Sequence, residues 1–169
     1  MFEIADGGSL KLQGVIIDGK DSVDSAGNVL IRNTKLPTLQ NYTLVLDSVQ
    51  VRNLNVNHSF HVFDAGYRSF ADLISITNSQ FSNITGDILR LNKEQDDLGI
   101  YNAEYVVMHN NRFEKVEGVI ANVYRGGTDE STFGPHVDFS HNQVLDSSKG
   151  KRNKSAASLF LHGTQVNNI

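Results

Sequence analysis

The chain has 169 residues, 39% of them hydrophobic, enough to bury one core of ordinary size, and its length calls for no second domain. No run of 18 apolar residues and no basic-then-apolar leader is visible in the sequence. The lack of Cys excludes disulfides and thiolate metal sites, and a net charge of −4 gives no argument for a nucleic-acid partner.

The N-terminal stretch "MFEIADGGSLKLQG" offers one short strand, and beyond it a pattern recurs. An apolar anchor is followed at +5 and +8 by further apolar residues: Leu46 with Val51 and Leu54, Ile76 with Phe81 and Ile84, Met108 with Phe113 and Val116, and Leu161 with Val166 and Ile169. Leu12 with Ile17 and Phe139 with Val144 are partial copies, and Gly86 and Gly118 share the +10 position after Ile76 and Met108. The anchors are separated by 34, 30, 32, 31 and 22 residues, which reads as a basic unit near 22 with variable insertions. Self-similarity at this spacing indicates stacked units sharing one core.

Period-two alternation in "LVLDSVQVRNL" and "LISITNSQF", with many β-branched residues, makes each unit a set of short strands and argues against helical repeats. A leucine-rich horseshoe would need Leu at most anchors and a helix per repeat, and a propeller about four strands per blade. The expected fold is therefore all-β, a right-handed parallel β-helix of roughly six coils forming one domain over residues 1–169. Asn78/Ser79, Asn110/Asn111 and His141/Asn142 should occupy a tight bend, with Asn in left-handed geometry and bonded to a neighbouring coil. Ile169 falls on an inward position with no capping helix after it, so the chain is expected to be a segment of a longer protein or to have its ends covered by another domain or subunit.

Function in such a fold belongs to the loops between coils: "NKEQDDLGIYNAE" from Asn92, "YRGGTDESTFGPH" from Tyr124 and "SSKGKRNKS" from Ser147. Lys93 and Arg125 each lie 17 residues after an anchor, which places them on successive rungs. On one solvent-facing wall their heads would be about 5–8 Å apart. Repulsion on the order of 2–3 kcal/mol then calls for a nearby carboxylate or anion, and Asp96, Asp97, Asp129 and Glu130 are candidates. Such a pair suits a uronate chain, whose carboxylate takes a guanidinium in bidentate fashion. Lys93 and Arg125 are the candidate catalytic pair; Arg90, Tyr124, Arg125, Glu130, His136, Lys151 and Arg152 are candidates for contacting substrate. Tyr101, Tyr105 and Phe133 join Tyr124 and His136 as rings able to stack on sugars. The run Lys149, Lys151, Arg152, Lys154 is a candidate polyanion patch. His58 and His61 have a metal-compatible spacing without a third ligand, and the acidic loops match no defined calcium loop.

From about Asn28 to Ile169, the stretches "GDILRLNKEQDDLGIYNAEYVVMHNNRFEKVEGVIANVYRGGTDESTFGPHVDFSHN" and "GKRNKSAASLFLHGTQV" resemble the C-terminal β-helix of two-domain alginate lyases in polysaccharide lyase family 6, which also contains chondroitinase B. The most specific part is "YRGGTDESTFGP". The resemblance implies a parallel β-helix, an anionic uronate polymer and a secreted or periplasmic setting. It also implies β-elimination in the parent enzyme: a cation neutralises the C6 carboxylate, a lysine removes the C5 proton and an arginine assists the leaving oxygen, with calcium in many members. In that family the catalytic groups lie in the N-terminal β-helix. This chain is then expected to serve as a non-catalytic support, assembly or polysaccharide-contact unit, inactive alone, with an N-terminal catalytic β-helix and a second copy as partners and neither nucleic acid nor membrane among them. Residual lyase activity through Lys93 and Arg125, or a purely structural role, are the alternatives.

Overall fold

The computed structural model describes residues 1–34, 37–95, 100–126, 134–151, 153 and 157–169. Three strands make each coil. The first coil is β1 (Phe2–Ile4), β2 (Ser9–Gln13) and β3 (Ile16–Asp18), and the second is β4 (Asn28–Asn33), β5 (Tyr42–Asp47) and β6 (Gln50–Leu54). The third is β7 (Phe60–Asp64), β8 (Ala71–Thr77) and β9 (Gln80–Ile84), followed by β10 (Leu89–Leu91), β11 (Ala103–His109) and β12 (Arg112–Val116). The fifth is β13 (Ala121–Tyr124), β14 (His136–Ser140) and β15 (Gln143–Leu145), after which β16 (Leu159–His162) and β17 (Gln165–Asn168) begin another. Like strands of successive coils pair in parallel, giving a first sheet β1-β4-β7-β10-β13-β16, a second β2-β5-β8-β11-β14-β17 and a third β3-β6-β9-β12-β15. The chain is a parallel β-solenoid, as its alternation predicts, of about five turns where roughly six coils were expected, because the last coil is only begun.

Five of the six anchors fall on one rung column of the second sheet: Leu12 beside Leu46, then Ile76, Met108 and Phe139. Their +5 partners form the facing column in the third sheet, from Ile17 through Val51, Phe81 and Phe113 to Val144. Phe81 and Phe113 stack with centroids 5.3 Å apart, and Phe113 and Phe139 at 6.3 Å. Each such side chain contributes roughly 1.5–3 kcal/mol by burial. A one-residue slip would turn the column outward, so burial fixes the register.

Leu161 is the exception. It lies in β16 and pairs with Val123 of the first sheet, while Val137 pairs with Val166 and Asp138 with Asn168 in the second. The anchor after Phe139 is therefore Ile169, the spacing there is 30 rather than 22, and the basic unit is a full coil of 30–34 residues. A +5/+8 match cannot distinguish sheets, because inward residues recur with the same alternation in all three.

The bend between second and third sheets carries positive φ at Gly14, Ser48, Asn78, Asn110 and His141. The residue after it bonds between coils: the Val49 amide donates to Ser79 Oγ (3.1 Å), the Ser79 amide to Asn111 Oδ1 (3.0 Å) and the Asn111 amide to Asn142 Oδ1 (2.9 Å). Asn111 and Asn142 also donate their side-chain amides to Ile76 O and Met108 O. These asparagines are structural, satisfying buried backbone at the corner. The repeated +10 glycine answers a different need. A Cβ on Gly86 would sit 2.7 Å from His61 N, and one on Gly118 would sit 2.5 Å from Gly86 C, so successive backbones touch there.

Candidate functional site

Along the outer face of the first sheet, one column reads Glu3, Arg32, Asp64, Arg90, Asn122 from coil to coil. Strand alternation points these side chains outward, and the charges alternate in sign. Arg32 meets Glu3 at 2.9 Å, and Arg90 Nε lies 3.6 Å from Asp64 Oδ1 and 3.5 Å from Asp87 Oδ2. Lys93 Nζ reaches back to Asp64 Oδ1 at 3.1 Å.

His61 and Asp87 complete the cluster. The Asp87 amide donates to His61 Nδ1 (2.9 Å), and Val119 N donates to Asp87 Oδ1 (2.7 Å). Nδ1 is thus an acceptor and the ring is neutral. Burial, followed by the charges of Arg90 and Lys93, pushes His61 down to about 3, while burial raises Asp87 above the ordinary carboxylate value. Beside the cluster is a cavity of about 280 Å³ lined in part by His61, Asp87, Arg90, Asn92, Asn122 and Asn153. Asn92, Asn122 and Asn153 each keep a buried Oδ1 without a donor among the described residues. These three oxygens are acceptors that a hydroxyl could satisfy.

The other predicted residues go to different places. Two steps beyond the Leu91–Val123 pair, Lys93 and Arg125 share a rung as expected, but they do not form a solvent-facing cationic pair. Arg125 is 6% exposed, donates to Gly134 O (3.2 Å) and lies with Cζ 5.4 Å from the Tyr101 ring centroid. The strand ends at Tyr124, so equal offsets past it no longer fix side-chain direction: Arg125 is enclosed at the corner and Lys93 runs along the outer face. The carboxylate that Lys93 meets is Asp64; Asp96, Asp97, Asp129, Glu130 and Phe133 lie outside the described residues, as do Arg152 and Lys154.

Tyr124 stacks on His162 at 4.3 Å, one coil along the first sheet. His136 belongs to the second sheet, where it stacks on Tyr105 (5.2 Å) with Nε2 3.8 Å from Glu104 Oε1. Tyr101 donates its hydroxyl to Glu104 (2.7 Å) and is pushed up to about 12, chiefly by desolvation. Lys151 lines a separate cavity at the end of the third sheet. Among the described residues, Arg90 and Lys93 converge on Asp64, and Tyr101 and His136 on Glu104. His58 and His61 part ways, His58 to Asp24 (2.9 Å) and His61 to Asp87. Among the described residues no three His, Asp or Glu side chains come together as a metal site; of the acidic loop residues suited to calcium, Glu94 is buried and accepts from Asn102 (3.2 Å), and Asp96, Asp97, Asp129 and Glu130 lie outside the described residues.

Sequence reasoning missed Asp64, Asp87 and the role of His61 because the repeat was keyed to the second and third sheets. Aligning Asp64 with Arg90 across "FHVFD" and "DILRL" would have exposed the column.

No family model matches the chain and no curated protein matches it. Solved structures do, among them the PL6 family alginate lyase AlyGC and an arginine-to-alanine mutant of it, each at 58% identity and a TM-score of 0.95. Each match covers 98% of this chain and 23% of that one, so the chain spans about a quarter of the enzyme's length. At that identity over nearly every residue, the chain is a relative of the polysaccharide lyase family 6 alginate lyases.

Proposed function

We propose that this chain is the C-terminal β-helix unit of a secreted or periplasmic, two-domain alginate-lyase-like enzyme. Its role is to support an N-terminal catalytic β-helix, to assemble with a second copy and to contact the uronate polymer, without carrying out the elimination itself. What supports this reading is the state of the two candidate catalytic cations. A base that removes the C5 proton must present a free amine to the substrate, and a leaving-group partner must reach the glycosidic oxygen. Lys93 is instead held on Asp64 and Arg125 is enclosed against Gly134 O and Tyr101.

The test is absorbance of the unsaturated product on polymannuronate, with this chain at high concentration. No turnover is expected. Turnover that disappears in Lys93→Ala would overturn the non-catalytic reading. Sedimentation with and without an added N-terminal domain checks the support role, for which complex formation is the expected result.

A further inference from the structure

The seventh residue after each anchor forms a column of its own: Gly19, Asn53, Asn83, Lys115, Asp146. From Asn53 onward every member has positive φ, between 46° and 59°. Asn and Asp tolerate this conformation through local hydrogen bonding; a lysine has no such compensation. Asn83 donates to Asn53 Oδ1 (3.0 Å) and Asn53 to Asp18 Oδ1 (2.9 Å), and this amide ladder stops at Lys115. A strained residue placed where a cheaper one is available points to use of its side chain.

Lys115 lines an open cavity of about 600 Å³ with Asn83, Glu117, Asp146, Lys149 and Lys151. That volume lies within the roughly 300–1,000 Å³ of small-ligand sites. Lys149 is taken by Asp146 at 2.8 Å. No carboxylate among the described residues is within ion-pair distance of Lys115 or Lys151, although Lys115 helps, after Lys149, to hold Asp146 below the usual carboxylate value. The wall is fixed from behind: Ser148 N donates to Val116 O, Val116 N to Ser147 Oγ (3.1 Å) and Gly150 N to Glu117 O (3.1 Å). Gly150 is required there, since a Cβ would fall 2.9 Å from Glu117 O.

We infer that this cavity is a binding subsite for carboxylated sugar units, with Lys115 and Lys151 on the carboxylate and Glu117 accepting from ring hydroxyls. The sugar class rests on the proposed function; the anion site rests on the lysines alone. It lies at the end of the third sheet and borders the first-sheet cavity, since Glu117 is followed by Gly118 of that lining and Asn153 N donates to Gly150 O (3.0 Å).

The experiment is calorimetric titration of the chain with a short oligomannuronate, a neutral oligosaccharide of equal length and inorganic phosphate, at low and high salt. Lys115→Asn restores the residue the column favours, so it should fold with an unchanged or higher melting temperature. It is expected to weaken oligomannuronate binding about fivefold, as is Lys151→Ala, with further weakening at high salt and no binding of the neutral sugar. Oligomannuronate binding that survives both substitutions overturns this subsite and leaves polymer contact by the chain intact. No oligomannuronate binding at all overturns both, and lysine-dependent binding of phosphate alone overturns the sugar assignment. A Lys115→Asn variant that loses thermal stability and keeps its affinity shows the lysine to be structural.

Discussion

Arg90 and Lys93 on the first sheet and Lys115 and Lys151 beyond the third are all cations beside a cavity, but their surroundings differ. The first pair converges on Asp64, with Asp87 behind it, in a half-buried cluster. The second pair has no carboxylate within ion-pair distance among the described residues, and one member sits in a backbone conformation unfavourable for lysine. Charge that is neutralised within the fold supports the fold, and charge left open on a rigid wall is available to a ligand. A buried ion pair is costly to break from one side because the surviving partner is left uncompensated.

The contrast can be tested by perturbing each region. The largest effect is expected from Gly118→Ala: its Cβ would meet the Gly86 backbone and displace Asp87, costing about 3 kcal/mol by overpacking, measured by denaturant unfolding. Asp64→Ala leaves Lys93 without its carboxylate and Arg90 with Asp87 alone, at side-chain exposures of 29% and 24%, and should cost about 2 kcal/mol, less than a fully buried pair because of that exposure. Oligomannuronate affinity should be unchanged in that variant; a parallel loss would merge the two regions into one site.

Acid should act on the first region through His61. Its folded value of about 3 lies below the ordinary 6.5, so between these pH values the unfolded chain takes up a proton that the folded chain excludes. Stability from this group is full above about 6.5 and declines as pH falls toward 3, with a slope of up to ~1.4 kcal/mol per pH unit. Asp87 works in the opposite sense, because a raised carboxylate is relieved of its burial penalty when protonated, at the lower end of the same window. The expected signature is a melting temperature that drops between pH 6.5 and 4 and drops less in His61→Asn. An unchanged slope would contradict the neutral, Nδ1-accepting ring. The smallest effect belongs to the double variant Lys149→Ala/Lys151→Ala, less than about 0.5 kcal/mol in unfolding, since the only pair removed is Lys149–Asp146, at 74% and 64% exposure.

How legible these regions were follows from the same physics. The inward columns were readable because burial imposes period two on Leu46, Ile76 and Met108 and on their partners Val51, Phe81 and Phe113. The Asn bends were readable because few residues accept that backbone. Leu161 was misassigned because alternation is common to all three sheets. Arg125 sits on its predicted rung, but past the end of a strand the register positions the backbone and leaves the side chain to its neighbours. Lys115 was open to view at +7, where Asn, Asn, Lys, Asp follow in order, and it escaped notice because only the apolar steps were counted.

Chemical-shift mapping during an oligomannuronate titration tests the division of labour most directly. Perturbations should concentrate at Lys115–Glu117 and Asp146–Lys151, with the amides around His61, Asp64, Arg90 and Lys93 unmoved. Shifts confined to that second group, with the lysine-lined corner silent, would contradict it.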